Sequence, residues 1–137
     1  DRAARIVLGG RFGEETESLS FSRLDRFVEA GGRIVDTAHS YADGRSETTI
    51  GRWLRSRRAA VGVADKVGHP DAFGRLDLSA ARIRGEVELS LRRLRVDVID
   101  VVLLHRDDPG EPVARLVDTL VDLVERDYAR RVGVSNW

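Results

Sequence analysis

The chain has 137 residues, within the size of one domain, and its 23 basic and 23 acidic residues cancel. With 42% hydrophobic and 34% charged residues it has the balance of an ordinary soluble globular protein. Arginines interleaved with acids leave no basic stripe to track nucleic acid, no apolar run approaches the roughly 20 residues that span a bilayer, and the lack of cysteine excludes disulfides, thiol catalysis and thiolate metal sites. These absences predict a cytoplasmic protein with neither a nucleic-acid nor a membrane partner. Three scattered histidines, at 39, 69 and 105, do not form a metal cluster. No methionine is present, not even an initiator, which predicts a piece of a longer translation product. Only one lysine, Lys66, stands among 22 arginines.

Taken in chain order, Arg5 to Gly10 is a short apolar run closed by glycines and is predicted as the first strand. A helix follows from Ser20, the predicted N-cap, with Leu24, Phe27 and Val28 at helical spacing and Gly31-Gly32 as its stop. Arg33 to Ala38 reads as the second strand. Ser46 to Ser56 reads as the second helix, with Ile50, Trp53 and Leu54 on one face and Trp53 assigned to the core. Ala60 to Val67 is the third strand, its apolar part expected to be buried and its charged tip exposed.

Ser79 is predicted to cap a long helix carrying Ile83, Val87, Leu91 and Leu94 on one stripe. Val98 to Leu104 is a β-branched, almost continuously apolar strand. Pro112 opens a helix running to about Asp127, and Arg131 to Ser135 is the fifth strand. Strand starts recur at roughly 27 to 38 residues, the spacing of βα units rather than of hairpins.

Alternating strands and helices predict an α/β fold with a parallel sheet, either doubly wound or a closed barrel. The segment Leu8 to Gly13 lacks the GxGxxG spacing of a dinucleotide-binding turn, which favours the barrel. In both architectures the chemistry sits just past the C-terminal ends of the strands. The residues there are Asp36 and Tyr41, then Lys66, then His105, then Ser135 and Asn136. Taken singly, each has an ordinary explanation as a capping, surface or core-boundary residue. Four ionisable side chains in register with successive strand ends point instead to one site.

The combination has a chemical logic. A phenol, with a reference pKa of about 10, is too weak an acid at neutral pH unless a nearby cation stabilises its phenolate. Lys66 supplies such a cation, and Asp36 keeps a partly buried ammonium protonated. His105 orients a bound carbonyl and helps relay a proton.

The ordered motifs resemble the aldo-keto reductase family. The segment from Gly31 through Asp36-Thr-Ala-His-Ser-Tyr41 looks like that family's strand and the tyrosine five residues past its aspartate, and Ser46-Glu47 with Gly51 resembles the helix that follows. Lys66 matches the catalytic lysine, although Asp65 stands where the family more often has threonine. Ser90-Leu91, Arg93-Leu94, Asp97, Ile99-Asp100 and Leu104-His105-Arg106 resemble the stretch leading into the catalytic histidine, and Gly133-Val-Ser-Asn136 the strand that holds the nicotinamide carboxamide.

The resemblance implies a partial TIM (β/α)8 barrel, with about five parallel strands, four helices and the C-terminal strands missing, residues 1–137 being a single partial domain. It implies reduction of a small aldehyde or ketone by hydride from NADPH, or alternatively NADH. Tyr41 would be the general acid, Asp36, Lys66 and His105 would complete the catalytic group, and Asp36, Ser135 and Asn136 would contact the cofactor. His39 and His69 are expected at most to line the pocket, with Asp107 and Asp108 in a loop over the same rim. A chain of this length is expected to be inactive alone. Two alternatives remain open: a non-catalytic, nucleotide-sensing regulatory subunit of reductase type, and a short chain that closes a barrel by dimerising. The oligomeric state is left unassigned.

Overall fold

The structure, a computed structural model, describes residues 5–7 and 16–137. Its elements in chain order are β1 (Arg5–Val7), α1 (Glu17–Glu29), β2 (Ile34–Asp36), a tight turn over Tyr41–Gly44, α2 (Arg45–Arg57), β3 (Gly62–Val67), α3 (Ala80–Leu94), β4 (Val101–Leu104), α4 (Val113–Glu125) and β5 (Val132–Val134). The predicted strands and helices are all present. Leu8 to Gly10 of the first predicted strand, and the whole Leu8 to Gly13 segment, lie outside the described residues.

The boundaries shift for identifiable reasons. Helix α1 begins a turn earlier than predicted, because Thr16 rather than Ser20 is the N-cap and its hydroxyl accepts the Leu19 N–H. Ser20 lies buried inside the helix. Pro112 occupies the N-cap of α4 instead of its first turn. Helix α1 stops as predicted at Gly31, whose φ of +87° suits a residue without Cβ, while α2 and α3 end on left-handed Arg58 and Arg95.

All five strands are parallel and their spatial order is their sequence order, β1-β2-β3-β4-β5. A doubly wound sheet reverses direction at a switch point, whereas successive units of a closed barrel always step the same way. The unbroken order therefore resolves the choice that periodicity left open in favour of part of a (β/α)8 barrel.

Pleating assigns each strand residue to one of two faces. Val35, Val63, Val67, Val102 and Leu104 are buried in the core beneath the helices, against residues such as Leu24, Ile50, Trp53, Ile83 and Leu123. Trp53 is core as predicted, with its indole N–H donating to Asp25 at 2.8 Å. The alternate positions Asp36 and Lys66 face the other way.

Helices α2 and α3 cross at Gly51, where an added Cβ would fall on the Arg93 carbonyl oxygen and 2.7 Å from that of Leu94. In an isolated helix Gly51→Ala would be worth about 1 kcal/mol in its favour. In this protein the backbone clash reverses the sign, and the variant is expected to lose about 1–3 kcal/mol in a urea unfolding titration. A gain in stability would refute the close crossing.

Candidate active site

The register places the predicted site residues on one rim. Asp36 ends β2 opposite Ala64 of β3, and Lys66 lies two residues further on, opposite Leu103 of β4. The His105 N–H then donates to the Val67 carbonyl at 2.7 Å, so the residue after β4 stays tied to the end of β3. Asp36, Lys66 and His105 are each no more than 6% exposed.

The Lys66 ammonium is ion-paired with Asp36 and donates to the Thr37 carbonyl at 2.6 Å. It also lies 5.2 Å from the centroid of the Tyr41 ring. Tyr41 stacks edge-on with His105 at 5.8 Å, and His105 with His69 at 4.8 Å. Asp36, Tyr41, Lys66 and His105 thus come together. Burial first, then the charges of His69, Lys66 and Arg106, pull the His105 pKa down to about 4, so its ring is neutral at physiological pH.

Ser135 and Asn136 follow β5 beside this group. The Ser135 N–H donates to the Leu104 carbonyl at 2.9 Å, one residue before His105, and the exposed Asn136 donates its side-chain N–H to the Ser135 hydroxyl at 3.1 Å. A cavity of about 350 Å3 is lined by His69, Asp71, Arg75, Asp77 and Arg82. In the loop after His105, Asp108 serves its own turn, accepting the Gly110 N–H at 2.9 Å. Among the described residues no group of His, Asp and Glu is arranged to hold a metal ion, and no helix is long and apolar enough to cross a membrane.

One expectation is corrected. The charged tip of β3 is not exposed: Asp65 is fully buried and Lys66 nearly so, because helices cover one face and Asp36 closes over the other. His39, expected to line the pocket mouth or to have no role there, makes its side-chain contacts with α3. Its imidazole Nδ1 lies 3.2 Å from the Ser90 hydroxyl and 3.4 Å from the Arg93 guanidinium, so the ring engages helix α3.

The turn that carries Tyr41 is unusual. Ala42 (φ 50°, ψ 39°), Asp43 (φ 54°, ψ 38°) and Gly44 (φ 82°) are three consecutive left-handed residues. For each of the two with a Cβ this costs about 1–2 kcal/mol, a strain that persists only where surrounding contacts hold it. Arg45 donates to the Ala42 carbonyl at 3.0 Å and Thr48 to the Gly44 carbonyl at 2.9 Å.

Supporting residues that the sequence reading passed over lie behind the sheet. Glu86 accepts the Gly68 N–H at 2.8 Å and also binds Arg82, pinning the chain just past Lys66. Its position between Ile83 and Val87, on the apolar stripe of α3, was the available signal.

Asp65, on the helix side, lies near Glu47 and Ser90. Desolvation first, then the charge of Glu47, raises its pKa well above the usual carboxylate value. Burial beside Glu47 thus favours the protonated form of Asp65 in the folded state. Its contribution to stability is complete below the unfolded value near 3.8 and is lost as pH climbs toward the raised folded value. Asp65→Asn is accordingly expected to gain on the parent protein as pH rises above about 4, by up to about 1.4 kcal/mol per pH unit in urea titrations, until the raised folded value is passed. A pH-independent difference would argue for an ionised Asp65.

Residues 5–137 match the profile of the Aldo/keto reductase family. Norsolorinic acid reductase B of Dothistroma septosporum is 31% identical over 92% of this chain and 35% of its own length. The aldo-keto reductase YhdN of Bacillus subtilis is 32% identical over 98% of this chain and 44% of its own. Among solved structures, the glycerol dehydrogenase of Gluconobacter oxydans superposes with a TM-score of 0.84 at 32% identity, covering 96% of this chain and 44% of that one. An aldo/keto reductase from Klebsiella pneumoniae, in complex with NADP and acetate, gives 0.79 at 33% identity over 96% and 45%. The chain spans less than half the length of each of these relatives. With the sequence profile and the strand order in agreement, the chain belongs to the aldo-keto reductase family.

Proposed function

We propose that the protein is a nicotinamide-dependent carbonyl reductase, and that residues 1–137 form one part of its barrel domain and carry its catalytic group. The observation that supports this most is the buried Lys66–Asp36 pair beneath the face of Tyr41, with a neutral His105 at the edge of the same ring. A pure nucleotide sensor would have no use for this grouping, which favours an enzyme.

In the proposed reaction the Tyr41 hydroxyl gives its proton to the carbonyl oxygen of an aldehyde or ketone as negative charge develops there. The Lys66 ammonium stabilises the resulting phenolate through space, an attraction of about 3 kcal/mol at ~5 Å with an effective dielectric near 20. Asp36 and the Thr37 carbonyl oxygen hold that ammonium charged and fixed in place. His105, neutral near pH 7, hydrogen-bonds the carbonyl and sets its direction.

The nicotinamide cofactor supplies a hydride when bound. NADPH is the proposed form, on the precedent of the NADP-bound Klebsiella relative. The donor set fits a carboxamide, which needs both a donor and an acceptor: the Ser135 hydroxyl and Asn136 amide stand together at the strand end next to His105. Asp36 is assigned to the adjoining ribose by the family resemblance. Most of the remaining grip on the cofactor is assigned to barrel elements outside these 137 residues, so the chain alone is expected to be inactive. The same reading puts the enzyme in the cytoplasm, acting on small molecules.

In a protein comprising this chain and the rest of the barrel, NADPH oxidation is expected with members of an aldehyde and ketone panel. Tyr41→Phe should lower turnover by about 10²–10⁴ while nucleotide binding, followed by fluorescence titration, is retained. Wild-type turnover in that variant would rule out Tyr41 as the acid.

A further inference from the structure

Tyr41 sits at the head of a strained turn, and the side chain that spans this turn comes from a different helix. We infer that Arg93 of α3, clamped by the buried Glu47, is the positioning residue that holds the Tyr41 turn over Lys66. Its guanidinium makes three contacts with the segment around Tyr41. One N–H donates to the His39 carbonyl at 3.3 Å, the same nitrogen lies 3.4 Å from His39 Nδ1, and the group lies so close to Gly44 that an added Cβ there would collide with it. The contacts fall on either side of Tyr41, two residues before it and three after.

The anchor at the other end is equally specific. Glu47 is wholly buried and accepts from Arg93 at 2.8 Å. A buried carboxylate requires a cation beside it, and a cation so placed loses its freedom to wander. Glu47 thus fixes Arg93, and Arg93 fixes the turn. His39 extends the hold to the reacting groups, because its N–H donates to the Lys66 carbonyl at 2.8 Å while Tyr41 N–H donates to Ala38 at 3.0 Å. The flat guanidinium matters: Nη1 meets the Glu47 carboxylate and the His39 carbonyl oxygen while the plane of the group lies against the Gly44 backbone, a packing that the compact ammonium of lysine does not reproduce. A misplaced phenol retains substrate binding and loses proton transfer, so a positioning defect falls on kcat rather than KM.

This role in catalysis rests on Tyr41 being the acid, but the positioning itself is measurable without it. Two variants keep the buried charge balanced: Arg93→Lys, and the double variant Glu47→Gln/Arg93→Met. Amide hydrogen exchange on the intact protein reads the turn directly at Tyr41 and Arg45, whose N–H groups bond within it, and at His39, whose N–H ties the turn to the Lys66 carbonyl. In both variants these amides are expected to exchange about tenfold faster or more, while the β3 and β4 amides keep their protection. Turnover of the reductase reaction should fall by about tenfold with KM within about twofold. Unchanged exchange at the three amides in both variants would overturn the assignment. So would a uniform loss of protection across the sheet in both, which would make Arg93 a general support of the fold. A loosened turn without any carbonyl reduction by the parent protein would uphold the positioning and refute only the reductase reading.

Discussion

An ammonium group can leave water only if anionic and dipolar oxygens replace its hydration shell, and Lys66 meets that condition through Asp36 and the Thr37 carbonyl. Removing one partner of such a buried pair costs about 3–5 kcal/mol. The pair therefore constrains its surroundings: β2 and β3 must keep their parallel register, Asp36 against Ala64, or the two charges separate. A slip of one residue would turn Lys66 into the apolar core and bring Asp65 to the site face. Placement of Tyr41 and His105 around Lys66 presupposes that register.

The pleat that presents Lys66 to one face presents Asp65 to the other, beneath α2 and α3. A second carboxyl there, beside Glu47, has its pKa raised by burial and by that neighbour's charge, and Glu47 itself is paired with Arg93. Polar groups behind the sheet thus follow from the choice of residues in front of it. The same helices reach over the sheet end, where Glu86 ties down Gly68 and Arg93 bridges to His39 and Gly44. Strain stored in the left-handed Ala42 and Asp43 is sustained by these ties and by Arg45 and Thr48.

Much of this was legible before any coordinates. Apolar runs such as Val98 to Leu104 and stripes such as Ile83, Val87 and Leu94 report burial directly, since strand and helix periods differ. The cap at Ser79 was readable because a lone serine precedes the stripe; at α1, Thr16 and Ser20 both qualified, and the longer helix won. What escaped were charged residues in apolar settings. Asp65, Glu47 and Glu86 look solvated in sequence, because nothing local says which helix will cover them or which cation will meet them. His39 was likewise unreadable, its partners Ser90 and Arg93 lying more than 50 positions away.

The sequence by itself determined the alternation of strands and helices, the family, and which chemistry-bearing residues end which strands, because these depend on local period and on short ordered motifs. The lone lysine among arginines marked its own importance. Tertiary structure alone decided that the strands run in unbroken order, that Lys66 and Asp36 meet away from solvent, and that Asp65 is buried beside Glu47 with its pKa raised. It also decided that an arginine from α3 spans the tyrosine turn. Each of these is a relation between residues far apart in sequence, set by how sheet and helices pack, and no local pattern encodes it.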